Sequence, residues 1–109
     1  MGNSFLLYPF KVNWLTDDRP GPYPARVLVG ASRKYHKKAV DRNRIKRIVR
    51  EAYRKNKYVL YEYLQSRGKA CNISLIYVGK GELAYSAAEE KIIVVLERLI
   101  SELEQEIRS

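Results

Sequence analysis

The stretch KKAVDRNRIKRIVREAYRK, residues 37–55, narrows the folds open to this chain more than any other. Ile45, Ile48, Val49, Ala52 and Tyr53 recur at spacings of three and four and share one arc of a helix beginning near Lys38. Asn43, Lys46, Arg47, Arg50, Arg54 and Lys57 fall on the opposite arc. Such a helix must lay its apolar arc on a core and keep the cationic arc outside it. The chain must therefore supply a core-forming partner surface from its remaining residues.

Strands are the expected partner. Phe5–Leu15 reads as a first strand, with Phe10, Val12 and Trp14 facing the core and Lys11 and Asn13 on the other side. Residues 16–24, TDDRPGPYP, hold three prolines and Gly21 and can continue neither helix nor ladder, so they read as a loop. ARVLVGAS follows as a second strand and CNISLIYV, residues 71–78, as a third, turned by Gly79-Lys80-Gly81. Tyr58–Leu64 either extends the basic helix or begins another that Gly68 ends. The last helix carries capping-box spacing at Ser86 and Glu89 and an apolar stripe of Ile92, Leu96, Leu99, Leu103 and Ile107, widened by Ile93 and Ile100. The order strand, strand, helix, strand, helix implies an α+β fold, with a small sheet of three to four strands packed with helices. At 109 residues a single domain, 1–109, is expected.

Charge is concentrated rather than spread. The net charge is +9, yet Arg33–Lys57 alone holds twelve Lys or Arg against Asp41 and Glu51. A solvated helix face usually mixes signs at i and i+4, whereas Lys46 with Arg50 and Arg50 with Arg54 are like-charged neighbours that cost stability. A polyanion relieves that repulsion, so the expected partner carries phosphates, with the helix start near Lys38 adding N–H donors. A DNA recognition helix is not expected, because no second short helix precedes this one; a folded RNA read by shape suits an arginine-dense face better. A membrane surface fits poorly, since the last helix presents Glu89, Glu90, Glu97, Glu102 and Glu104. No stretch resembles a signal peptide or a membrane span, and a cytoplasmic setting suits the single cysteine, Cys71. With one histidine, His36, no Cys/His metal site can form, and no set of His, Asp, Ser or Cys is in view for nucleophilic or acid/base catalysis.

KKAVDRNRIKRIVREAYR, preceded by a strand running into ASRK, resembles the signature of the bacterial ribonuclease P protein component. Its hallmark is an Arg-Asn-Arg helix, here Arg42-Asn43-Arg44, continuing as Lys46-Arg47 and Arg50-Glu51. The resemblance extends in pattern over the whole chain. It implies a sheet similar to domain 2 of ribosomal protein S5, with a left-handed βαβ crossover. The implied function is that of the protein subunit of an endoribonuclease, a ribonucleoprotein hydrolase of tRNA processing. There the protein binds the catalytic RNA and the 5′ leader of precursor tRNA, while the catalytic groups and Mg²⁺ belong to the RNA. No cofactor is expected on protein side chains alone, and no catalytic or metal-ligating residue is assigned.

Carried over by position, Arg42, Asn43, Arg44, Lys46, Arg47 and Arg50 face RNA, and Arg33 and Lys34 extend that surface, as do Lys38 and Arg54 on the same helix. Lys11 and Asn13 are the expected leader contacts. Asp41 and Glu51 are read as capping the helix start and pairing with arginine, and His36 as an incidental surface residue able to donate to phosphate. Tyr58, Tyr61 and Tyr63 either stack on RNA or cover the core. Two departures from the family pattern stand out: Gly2-Asn3-Ser4 leads almost directly into the first strand where the family carries a helix, and Tyr35-His36 lengthens the turn before the basic helix. The alternative reading is a ribosome-associated or other structural RNA-binding protein with no role in tRNA processing.

Overall fold

Pro9 lacks the N–H that a central ladder needs, so the apolar run from Phe5 does not continue as one strand. In the computed structural model, which describes residues 3–17 and 23–108, the run folds into a hairpin. Strand β1 (Asn3–Leu7) pairs antiparallel with β2 (Phe10–Asp17), Leu7 opposite Phe10, across a turn at Tyr8–Pro9 whose peptide is cis. Most of the proline-rich segment expected as a loop lies outside the described residues. The chain resumes in β3 (Ala25–Ala31) and crosses over through two helices, α1 (Ala39–Asn56) and α2 (Tyr58–Arg67). Strand β4 (Ala70–Tyr77) then enters the sheet between β2 and β3, antiparallel to the first and parallel to the second. The sheet order is β1-β2-β4-β3, and α3 (Tyr85–Arg108) completes the domain. The α+β expectation is met, with four strands at the upper end of the three to four expected and one strand more than the order read along the chain.

Register sorts the strand residues into two faces. Phe5, Val12, Leu75 and Val29 lie in one cross-strand row, all buried beneath the helices, with Trp14–Ile73 and Phe10–Tyr77 in the flanking rows. The parity read for β2 holds: Phe10, Val12 and Trp14 are core, and Lys11 and Asn13 face away. On α1 the core residues are Ile45, Val49, Ala52 and Tyr53, with Ile48 half-buried at the margin. On α3, Ile92, Leu96, Leu99 and Leu103 are buried as expected, and Val95 joins them. Ile93 does not widen the stripe; it is exposed, and Ile107 is half-buried. Burying each leucine contributes roughly 1.5–3 kcal/mol, so the α3 stripe is a substantial part of the one core it shares with the sheet and α1.

Two local details differ from expectation. The helix α3 begins at Tyr85, so Ser86 is already inside its first turn and forms no capping box with Glu89. Glu89 instead accepts hydrogen bonds from Tyr85 Oη at 3.2 Å and Asn56 Nδ2 at 3.0 Å, tying α3 to the end of α1. Lys57 separates α1 from α2 while keeping helical angles, so the tyrosine-rich segment is a helix of its own. Gly68 ends it at φ 63°, with its N–H on Gln65 O and that of Lys69 on Leu64 O.

Candidate nucleic-acid interface

Successive helical residues are turned by roughly 100°, so the Arg42-Asn43-Arg44 hallmark cannot present both arginines together. Asn43 points outward with Arg47, Arg50 and Arg54, while Arg42 and Arg44 emerge on opposite flanks. Among the described residues Arg33, Lys46, Arg47 and Arg50 have no acidic partner. They form the free cationic ridge, and all but the half-buried Lys46 are exposed. Lys38, also exposed, is the N-cap residue of α1 and makes no side-chain cap bond, so no side chain of the N-cap covers the N–H groups of the first turn.

The other arginines of α1 are engaged within the protein. Arg42 folds back, Nη1 donating to the carbonyls of His36 at 2.9 Å and Lys37 at 2.8 Å, and so clamps the turn that leads into α1. Arg44 lies 3.4 Å from Glu82 and 3.9 Å from Asp41. Arg54 is bidentate to Glu51, at 2.6 and 3.1 Å, which holds the Glu51 carboxyl below its usual range. Asp41 and Glu51 thus pair with arginine as expected, though Asp41 sits in the first turn and gives α1 no side-chain cap.

His36 is not a surface residue. It is 9 % exposed, its ring 5.7 Å from that of Tyr77, with Nε2 bonded to the carbonyl of Gly79 at 2.9 Å. A β-carbon at Gly79 would fall 2.5 Å from Tyr77 Oη, so only glycine allows this close approach of turn and ring. The tyrosines of α2 divide: Tyr61 Oη reaches Ala25 O at 3.3 Å and Tyr63 Oη reaches Glu104 at 2.6 Å, while Tyr58 is exposed. Cys71 lies in the core, where burial pushes its thiol up to about 12, out of reach of thiolate chemistry at neutral pH.

The sheet face away from the helices carries the two expected leader residues. Across the register, Ser4, Asn13, Ser74 and Leu28 form one row, Leu6, Lys11, Ile76 and Gly30 a second, and Leu15, Asn72 and Arg26 a third. Asn13, Leu15, Leu28, Asn72 and Ser74 line a shallow depression of about 280 Å³, in which Leu28 is 69 % exposed. Lys11 lies at the sheet end where β3 leads through Arg33 and Lys34 into α1. Asn72, Ser74 and Leu28 were not singled out from sequence, although the alternation in CNISLIYV marks the two polar residues. Lys80 was also missed. Its Nζ and that of Lys34 each stand 5.5 Å from the Tyr35 ring, a juxtaposition of distant segments with no local signal.

No group of three or more His, Cys, Asp or Glu among the described residues could hold a metal ion, and no helix there is long and apolar enough to cross a membrane. A profile of the family described as Ribonuclease P matches residues 2–100. The chain is 38 % identical over 77 residues to the ribonuclease P protein component of Porphyromonas gingivalis, covering 71 % of this chain and 56 % of that protein. It is 36 % identical over 87 residues to the component of Pseudoalteromonas atlantica, covering 80 % and 61 %. The chain thus spans little more than half the length of these curated relatives. A solved structure of the RNase P protein from Thermotoga maritima, in complex with 1-(4-fluorophenyl)-2-thiourea, superposes with a TM-score of 0.68 at 28 % identity, covering 89 % of this chain and 85 % of that one. With the profile spanning nearly the whole chain and the fold shared, the chain belongs to the ribonuclease P protein family.

Proposed function

We propose that this chain is the protein subunit of a ribonuclease P ribonucleoprotein, acting in the cytoplasm to support RNA-catalysed removal of the 5′ leader from precursor tRNA. The observation that carries the reading is the ridge of Arg33, Lys46, Arg47 and Arg50, cations that no acid of the described residues neutralises. Lys46, Arg47 and Arg50 are held on a helix and cost little further ordering when they meet phosphates, Arg33 stands in the turn after β3, and each guanidinium can bond two oxygens at once. Asn43 adds a neutral donor and acceptor on the same line. Arg42 and Arg44 act at the flanks, the first by shaping the turn at 36–38 and the second by exchanging an exposed acidic partner for RNA.

In this reading the open sheet face takes the leader. Lys11 supplies a phosphate contact, Asn13, Asn72 and Ser74 bond base edges, and Leu15 and Leu28 cover the apolar faces of the bases. Phe10 and Trp14 are committed to the core, so base contact there is aliphatic rather than aromatic. The hydrolytic chemistry belongs to the RNA with its Mg²⁺; the protein contributes grip and alignment. Reconstitution with a bacterial ribonuclease P RNA at low Mg²⁺ tests this: the protein is expected to restore precursor cleavage, and the Arg47→Ala/Arg50→Ala variant to lose most of that rescue. Tight RNA binding without any rescue would instead favour a structural RNA-binding protein outside tRNA processing.

A further inference from the structure

Beside the ridge, between the first turns of α1 and the turn at residues 79–83, lies a groove of about 320 Å³. Its floor is apolar, made by Ile45, Ile48 and Leu83, and its rim carries Asp41, Arg44 and Glu82. Both walls are pinned. His36 bonds Gly79, Tyr77 Oη donates to Gly81 O at 3.3 Å, and Arg42 clamps the carbonyls of residues 36 and 37. The space is built by the fold and does not depend on the position of one mobile side chain.

The polar rim is an odd choice for a surface that serves phosphates alone. Glu82 is 87 % exposed, opposes phosphate binding, and forms a solvent-exposed pair with Arg44 worth little to stability. What the pair does provide is a forked donor set directly beside carboxylate acceptors, over an apolar floor. Among the RNA bases, guanine matches that order: O6 and N7 accept from an arginine fork, and N1–H and N2–H₂ donate together to one carboxylate. Adenine offers one amino donor flanked by acceptors, and the pyrimidines lack the N7 edge. Lys80 also lines the groove, and its ammonium shares the Tyr35 ring with that of Lys34, two like charges that an anion would relieve.

We propose that this groove receives one unstacked guanosine of the RNA partner, with Arg44 on O6 and N7, Glu82 or Asp41 on the N1 and N2 donors, and the attached phosphate at Lys80. The site rests on the RNA-binding reading above and adds a base-specific contact to an otherwise sequence-blind face. Its exposed ion pairs are exchanged for base bonds at small cost, so a nucleotide in solution suffices as a probe.

The test is an NMR titration of the protein alone with guanosine, inosine and adenosine 5′-monophosphates, and with inorganic phosphate. Guanosine monophosphate is expected to move the methyl signals of Ile45, Ile48 and Leu83 and to bind at least about fivefold more tightly than the inosine form, which lacks the N2 donor. The Asp41→Asn/Glu82→Gln variant is expected to lose that preference, while Glu90→Gln on α3 keeps it. Equal affinity for all three nucleotides, the same shifts with inorganic phosphate alone, or shifts confined to the open sheet face would overturn the guanosine site. A protein that rescues cleavage yet shows no guanine preference sinks this inference alone; one with the preference but no rescue sinks the subunit role alone.

Discussion

Glu104 illustrates how much one side chain can tie together. Its Oε2 accepts from Tyr63 Oη at 2.6 Å and Arg67 Nη2 at 2.8 Å, and its Oε1 lies 3.3 Å from Arg108 Nε, so α3 is fastened to α2 through a single carboxylate. The Tyr63 hydrogen bond, then Arg67, hold its carboxyl below the ordinary value of 4.5. A folded-state value depressed in this way adds stability that is present above the unfolded value and is lost as pH falls through the lowered folded one. Urea midpoints measured from pH 7 down to pH 3 are therefore expected to fall more steeply for the wild type than for Glu104→Gln below about pH 4.5. The gap between the two proteins closes in acid, and parallel curves would show that the contact carries no linkage. At the same scale, His36 shows the limit of reading residues one at a time: read as an incidental surface residue, it is buried and faces Gly79, 43 residues away. Arg42, carried over from the family hallmark as an RNA-facing residue, also donates to the carbonyls of residues 36 and 37.

At the scale of elements, helical periods were legible and boundaries were not. The core arc of α1 and four of the five stripe residues of α3 follow from spacing, since a helix in contact with a core has one buried side whatever covers it. The hairpin was missed because the apolar run bridges Tyr8–Pro9, and only the absent proline N–H marks the break. The end of α2 at Gly68 was legible, and its geometry gives a clean test. A β-carbon there meets nothing within 4 Å, so the cost of Gly68→Ala is that of the left-handed backbone alone. That substitution is expected to lower unfolding free energy by about 1 kcal/mol in urea titration, with RNA affinity unchanged. A neutral result would mean that the helix end relaxes to another conformation.

For the whole molecule, the proposed RNA binding makes the division of charge testable. If the four unpaired cations of the ridge with Lys38 and Lys34 each neutralise one phosphate, the logarithm of RNA affinity should fall with log salt at a slope of about −5 on duplex regions. Removing Arg47 and Arg50 should bring that slope nearer zero by about two. Removing Arg54 should change it less, because its guanidinium already holds Glu51. Filter binding across a salt series distinguishes these variants, and equal losses at all three positions would refute the division into free and engaged arginines.

The sequence by itself determined the two-faced helix, the inward parity of Phe10, Val12 and Trp14, and the gathering of positive charge between Arg33 and Lys57. These are local properties, set by residue spacing against the geometry of helix and strand. Only the tertiary structure decided which cations remain free, that His36 is buried, and that Lys80 and Glu82 stand across a groove from α1. Those outcomes depend on residues such as Arg44 and Glu82, 38 positions apart, which meet only once the crossover and the sheet have closed around the core.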